Sequence, residues 1–388
     1  MARRHSLQAA LLTVALVFSV TAWAQDDGTD APEAPWTPDR PWESIDLVIA
    51  LDTSDSMKSL IDAARLSLWD VVNELLMAEP QPLLRVALLT YGNTANDRKQ
   101  GWVRVEADLT EDLDLVSEKL FGLTTGGGNE YVARVLQTAV EELSWTPSRD
   151  ALKLLFVAGN EAADQDPDVD FRDSGRLALD EGISVNVIFC GRPEADDAET
   201  WKELADRAEG RFAAINQRGG KAAAVTTPYD KELSDLSAAL NETYVPLGEA
   251  GQERTENLTK QDRNAAKLSP AAAAARARTK ANPRFTSGWD LISMLESGET
   301  TIYEIDEQEL PEELRRMTPE EREVYVEKLR ARREELRRQI AELSAKRRGC
   351  VAEQIEARGI DTSKSFDTAV REAIRSQAEE KGFDLPEE

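Results

Sequence analysis

Histidine is all but absent from this 388-residue chain: the single one is His5, at the extreme N-terminus. Ser-His-Asp and Cys-His catalysis both need an imidazole to move a proton, and many zinc sites need one as ligand, so these chemistries are excluded for the remainder of the chain. Cysteine is nearly as scarce, with only Cys190 and Cys350. Two thiolates cannot complete a zinc-thiolate cluster, and partners so far apart in sequence form a disulfide only if the fold brings them together. Cys190 ends an apolar stretch, where a buried free thiol is the simpler expectation. Beyond residue 24 no apolar run approaches the ~20 residues that a membrane-spanning helix needs. Positive charge is in deficit as well, with 47 Lys and Arg against 73 Asp and Glu and a net charge of −26. Such a chain is repelled by nucleic acid and by anionic membrane surfaces, and it suits cations or basic surfaces instead.

The first 24 residues carry Arg3 and Arg4, an apolar run over 9–22 and a small-x-small ending at Ala22, Trp23 and Ala24. This pattern reads as a secretory signal peptide cleaved before Gln25, which predicts an exported protein, periplasmic or secreted. Residues 25–43, rich in Asp and Pro, read as a linker. From residue 44 the pattern becomes regular. Apolar strand candidates at 45–51, 83–91, 102–109, 152–158, 183–190 and 211–215 alternate with helical periodicity at 58–77, 113–121, 131–143, 171–180, 200–208 and 231–241.

Continuous aliphatic strands such as LVIAL and LKLLFVA are those of a sheet covered on both faces. The predicted fold class is therefore α/β and doubly wound: a mostly parallel six-stranded sheet spanning 44–244, with 102–109 as an antiparallel edge strand because it alternates apolar and polar residues. Residues 245–283 read as a connecting arm with helical tendency, and 284–317, with Phe285, Trp289 and Leu291, as a segment that docks back on the globular part. The tail, 318–388, opens with the capping box Thr-Pro-Glu-Glu and predicts a long helix to about Gly359 and a second one from Ser363. Leu329, Leu336, Leu343 and Cys350 recur at heptad spacing, while Arg333 and Arg347 interrupt the companion seam. The expectation is a C-terminal α-helical hairpin in which Phe366, Val370, Ile374 and Ala378 pack on that stripe, with homo-oligomerisation through a coiled coil as the alternative.

The chemistry concentrates at IDLVIALDTSDSM, residues 45–57, where an apolar strand runs into Asp52, Ser54 and Ser56. Three oxygen-bearing side chains at alternate positions suit a hard divalent cation, whereas a helix N-cap needs only one. In a doubly wound sheet, ligands bind beyond the carboxyl ends of the strands where strand order reverses. That rule brings the AGNE loop, 158–161, and the glycine-rich TTGGGNE loop, 124–130, towards the same crevice. Asp164, Asp166, Asp168 and Asp170 alternate as well, but their loop lacks the glycine and later glutamate of a helix-loop-helix calcium site and reads as a solvated approach to a helix.

At these positions the sequence resembles the von Willebrand factor type A (VWA) family and its metal-ion-dependent adhesion site, through the D-x-S-x-S signature at Asp52, Ser54 and Ser56 and the strand-helix order of 44–244. GGGNE at 126–130, AGNE, IFCG at 188–191 and TPYD at 227–230 resemble a bacterial exported subgroup of it. The resemblance implies a divalent cation, Mg²⁺ with Mn²⁺ or Ca²⁺ as alternatives, bound directly by Ser54 and Ser56 and oriented by Asp52, with an acidic side chain of a protein partner completing its coordination. Asn129 and Asn160 complete the expected metal set, and Thr125, Glu130 and Glu161 are candidates for the partner-facing rim. Two departures stand out: Gly128 occupies the place where the family supplies a threonine, leaving Asn129, Glu130 or Thr125 as substitutes, and Gly159 and Asn160 stand where it supplies an aspartate.

The functional expectation is an exported, non-catalytic binding module that grips a protein partner through a cation. A structural envelope protein acting through its helical tail, with a vestigial metal site, is the alternative. A metal-dependent hydrolase ranks below both, because neither a histidine nor a second acidic cluster is present to position a water.

Overall fold

Ile45 and the aliphatic run over 47–51, with neither glycine nor proline to break it, make residues 44–52 a strand, and the rest of the chain is layered around it. The structure is a computed structural model that describes residues 44–215, 225–286, 288–360, 362 and 365–385. The expected signal peptide (1–24) and linker (25–43) lie outside the described residues. Strand β1 (Ser44–Asp52) pairs in parallel with β2 (Leu83–Tyr91) on one side and β4 (Leu152–Gly159) on the other. With β3 (Arg104–Thr110), β5 (Ser184–Phe189) and β6 (Phe212–Ala214), the sheet has six strands in the order β3-β2-β1-β4-β5-β6. Only β3 runs antiparallel, at the edge beside β2. It is the strand whose side chains alternate between exposed and buried, as an edge strand with one wet face should.

Side chains of β1 alternate between two cores, following the two-residue period of a strand. Ile45, Leu47 and Leu51 face helices α1 (Lys58–Leu75) and α2 (Leu113–Gly122), with Trp69 fully buried among them. Val48 and Ala50 face α3 (Val132–Glu142), α4 (Phe171–Asp180) and α5 (Asp197–Arg207), where Trp201 is the large buried residue. The acidic run before α4 is less solvated than its alternation suggests. Asp166 is buried in a two-point pair with Arg134 (3.0 and 3.1 Å), and Asp170 caps α4 by accepting from the Arg172 amide.

The stretch expected as a connecting arm folds as two packed helices, α7 (Gly248–Leu268) and α8 (Pro270–Lys280), after α6 (Asp230–Asn241). The alanines of α8 supply the reason, since small side chains let it lie close against α1, α6 and α7 at once. Arg276 of α8 anchors the contact: it is buried, bonds Asp114 of α2 and Asp262 of α7 at 2.6 Å each, and lies over the Trp69 ring.

After α9 (Leu291–Ser297) and α10 (Glu312–Arg315) comes α11 (Pro319–Arg358), a 40-residue helix opened by the Thr318–Glu321 capping box. From Val326 to Ile340 its apolar stripe packs within the chain. Leu336 and Ile340 are buried against Leu233, Leu240 and Tyr244, and Val326 joins a cluster with Val245, Leu291 and Leu314. Arg333, expected as an interruption of a seam, is fully buried instead, with its guanidinium on both oxygens of Asp290 (2.6 and 3.1 Å) and on the Thr243 carbonyl (2.6 Å). Arg347 likewise reaches Asp230 of α6 at 2.8 Å.

The last helix, α12 (Phe366–Glu380), corrects the expected hairpin packing. Phe366, Val370, Ile374 and Ala378 turn away from α11 and join the core formed by α1 and the sheet. Gln377 and Asn186 of β5 exchange side-chain hydrogen bonds at 2.8 and 3.1 Å, and the chain end pairs with the α1–β2 loop through reciprocal Glu79 and Asp384 amide bonds of 2.8 Å. The C-terminal region is helical as expected, but its final helix is a structural part of the sheet domain. Cys190 and Cys350 are both free thiols, Cys190 buried.

Candidate metal centre

Because β2 and β4 flank β1 on opposite sides, the chain reverses direction of travel across the sheet at the carboxyl end of β1, and a crevice opens there. Asp52 is the last residue of β1 and is fully buried. Its Oδ1 accepts the Ser54 amide at 2.7 Å, which bends the chain so that Ser54 and Ser56 follow on the crevice side. Their hydroxyl oxygens are 3.3 Å apart, and Ser56 donates to Oδ1 of Asn160 at 3.2 Å, so the first loop and the loop after β4 meet. Asp52 Oδ2 is buried and has no hydrogen-bond partner.

The glycine-rich loop forms the third wall, and two residues that the sequence reading did not single out hold it in place. The Asn93 side chain donates to the Thr124 carbonyl at 2.8 Å and lies near the Thr53 carbonyl, while the Gly126 amide donates to Thr53 at 3.0 Å. Gly128 lies against backbone: a Cβ there would stand 2.8 Å from the Gly92 carbonyl oxygen. Gly92 itself has φ +73°, and a Cβ on it would stand 2.7 Å from Asp52 Oδ1 and 3.2 Å from Glu130 Cγ. The visible signal was the Tyr-Gly-Asn at the end of β2, a glycine where a strand must turn sharply.

The structure brings Asp52, Ser54, Ser56 and Asn160 together and adds Glu130. Glu130 is 3% exposed, its amide facing Gln165 Oε1 at 3.3 Å, and its carboxyl group is within hydrogen-bonding reach of Asp52 and Ser54. Asn129, the neighbouring residue, is not part of this group; it is exposed and donates to the Tyr131 hydroxyl at 2.9 Å. Thr125 is half-buried on the glycine-rich loop. Glu161 lies at the rim, with Oε2 accepting from Gln165 at 2.6 Å.

The electrostatics follow from this crowding. Burial first, then the adjoining Asp52 carboxylate, raises Glu130 well above the usual carboxylate range. Asp52 is raised too, by burial, although the neighbouring Glu130 carboxyl group and the Ser54 amide oppose the shift. Tyr91, which donates to the Ala158 carbonyl at 2.9 Å beneath the crevice, is raised by burial and by both carboxylates. Cys190 below them is pushed up for the same reasons.

Among the described residues no three His, Cys, Asp or Glu side chains converge as a metal cluster. The donors here are mixed: two carboxylates, two hydroxyls and one amide oxygen, all hard oxygen ligands. An orphaned buried carboxylate oxygen among them fits a cation of the Mg²⁺, Mn²⁺ or Ca²⁺ type.

The model of the von Willebrand factor type A domain matches residues 46–226. No curated protein matches the chain. Among solved structures, proximal thread matrix protein 1 from the mussel byssus aligns at 13% identity and a TM-score of 0.36, over 46% of this chain and 43% of that one. A form of the same mussel protein with a zinc-occupied MIDAS motif aligns at 15% identity, TM-score 0.36, over 45% of this chain and 42% of that one. The VWA domain of SpRpn10 aligns over its full length and 47% of this chain, at 15% identity and a TM-score of 0.35. This chain thus spans under half the length of the mussel protein it matches. The segment that matches the von Willebrand factor type A model runs from β1 to just beyond β6, so the likeness covers the six strands of the sheet and not the helices that follow.

Proposed function

We propose that the crevice at the end of β1 binds a divalent cation, Mg²⁺ by preference, and presents it to an acidic side chain of a protein partner. The observation that carries this reading is the buried, unpartnered Asp52 Oδ2 beside the converging oxygens of Ser54, Ser56 and Asn160. The cation would draw Asp52, Ser54 and Ser56 to itself and supply an electrophilic position for an incoming carboxylate; binding, with no bond broken, is the outcome. Ser56 and Asn160 lie at the open side of the crevice, so a partner can approach there, with Glu161 and Thr125 at the rim. The N-terminal signal pattern supports export, and the partner is then a protein of the envelope or the surroundings. The helical tail contributes α12 to the core of the sheet domain.

A metal-dependent pull-down of envelope proteins with the full chain tests the proposal. Partner capture should require Mg²⁺ or Mn²⁺ and should be lost with EDTA and in Asp52→Ala. Capture that is indifferent to both would overturn it.

A further inference from the structure

Glu130 sits inside the crevice, although its position at the end of a surface loop suggested the rim. Three features hold it there. Gly92, with no side chain, leaves the space in which the Glu130 stem and Asp52 Oδ1 meet. The Gln165 side chain bridges the glycine-rich loop to the loop after β4, facing the Glu130 amide and donating to Glu161. The carboxyl group lies within reach of both Asp52 and Ser54. Among the described residues no lysine or arginine forms a hydrogen bond or an ion pair with Asp52 or Glu130. Two buried carboxylates thus face each other with one oxygen, Asp52 Oδ2, unpartnered. For both to ionise, the pair needs a counter-charge, and among the described residues no side chain supplies it.

We infer that Glu130 is the second anionic ligand of the cation site, carrying on the glycine-rich loop the negative charge that the neutral Asn160 does not carry on the loop after β4. This rests on the metal-binding reading above and adds to it a residue and a charge count. The site then holds two negative charges, from Asp52 and Glu130, with neutral oxygens from Ser54, Ser56 and Asn160. A doubly charged cation is balanced by that set, and metal affinity follows ligand charge. Asn160 Oδ1 already accepts from Ser56, so a carboxylate at that position would place a charge on the opposite wall of the same crevice.

The two walls can therefore be exchanged. Isothermal titration of the full chain with MnCl₂ and MgCl₂ is compared for the parent, E130Q, N160D, the double variant E130Q/N160D, and D52N. E130Q should weaken Mn²⁺ binding by at least the roughly 10- to 100-fold that loss of a supporting outer-shell group costs a metal site, and E130Q/N160D should recover most of it. Thermal midpoints in EDTA give a second readout: E130Q should be about as stable as the parent there, because the amide is nearly the same size and brings an N–H donor to the buried Asp52 carboxylate. Unchanged Mn²⁺ affinity in E130Q, with binding abolished in D52N, would overturn the role of Glu130 and leave the metal site standing. A lower midpoint in EDTA with unchanged Mn²⁺ affinity would mark Glu130 as structural only, and likewise overturn the inference. Parent and D52N that bind Mn²⁺ equally, or not at all, would overturn the metal site itself and this inference with it.

Discussion

Ile374 lies near the C-terminal end of the chain, yet its side chain is fully buried in the core shared by α1 and the sheet. Ile374→Ala removes three carbons, worth ~0.8 kcal/mol each in transfer free energy, and leaves a cavity between helices that cannot fully close. The expected cost is about 3–4 kcal/mol, within the range of about 2–5 kcal/mol for such truncations in well-packed cores. Urea unfolding followed by tryptophan fluorescence reads it well, since Trp69 and Trp201 are buried on the two faces of the sheet and report on the sheet domain itself. At a slope of about 3 kcal/mol per molar urea, the midpoint should fall by about 1 M. A tail folding apart from the sheet would give a different result: the tryptophan transition would stay put and any loss would appear in a separate, far-ultraviolet transition. A shift of the tryptophan midpoint corresponding to less than about 1 kcal/mol would refute the reasoning. The same logic says that a chain cut after Tyr244 exposes the α1 and β4–β5 surface that α12 covers, and should be insoluble or lose cooperative unfolding. Binding studies need the C-terminal helix.

Four further outcomes follow from the geometry. Saturation with Mg²⁺ or Mn²⁺ at a hundredfold excess over Kd should stabilise the parent by about 2.7 kcal/mol in thermal or urea melts, and Asp52→Ala should abolish the increment. Gly92→Ala forces a Cβ to within 2.7 Å of Asp52 Oδ1 at a positive φ, so metal-dependent stabilisation should vanish even though no ligand is replaced. Arg333→Met strands the buried Asp290, which also accepts the Val245 amide at 2.7 Å, and should cost about 3–5 kcal/mol in urea melts. Asp70 is raised by burial from 3.8 to about 6, against the pull of Arg347 and Arg371. The folded chain keeps that proton where the unfolded chain has lost it, so stability is lost as pH rises from 3.8 towards about 6. Asp70→Asn should therefore stabilise at pH 7 by about 1–3 kcal/mol and show no advantage below pH 3.8, checked by melts across that range.

Strands, helices and caps could be read residue by residue because each depends on neighbours close in sequence. The aliphatic run of β1, the period of α1 and the Thr318–Glu321 capping box carry their own signals. The D-x-S-x-S turn could be read for the same reason, since the Asp52–Ser54 bond that shapes it spans two residues. The destinations of amphipathic faces and charges are another matter. An apolar stripe on α12 says that the helix must be covered, and α11 stood next in sequence; only the tertiary arrangement put it on α1 and the sheet, where a larger apolar surface awaited it. Arg333 looked like a break in a heptad because its partner, Asp290, lies 43 residues away. Between Asn129 and Glu130 the sequence offered two oxygen-bearing side chains on one loop and no means of saying which one points inward. In the fold Gly128 packs against the Gly92 backbone, Glu130 lies buried beside Asp52, and Asn129 is exposed and donates to Tyr131. By itself, then, the sequence determined the strands and helices of the sheet region, their order and the first loop of the site, all local in origin. The tertiary structure decided which faces meet and which carboxylate enters the crevice, because those outcomes depend on space and charge contributed by distant parts of the chain.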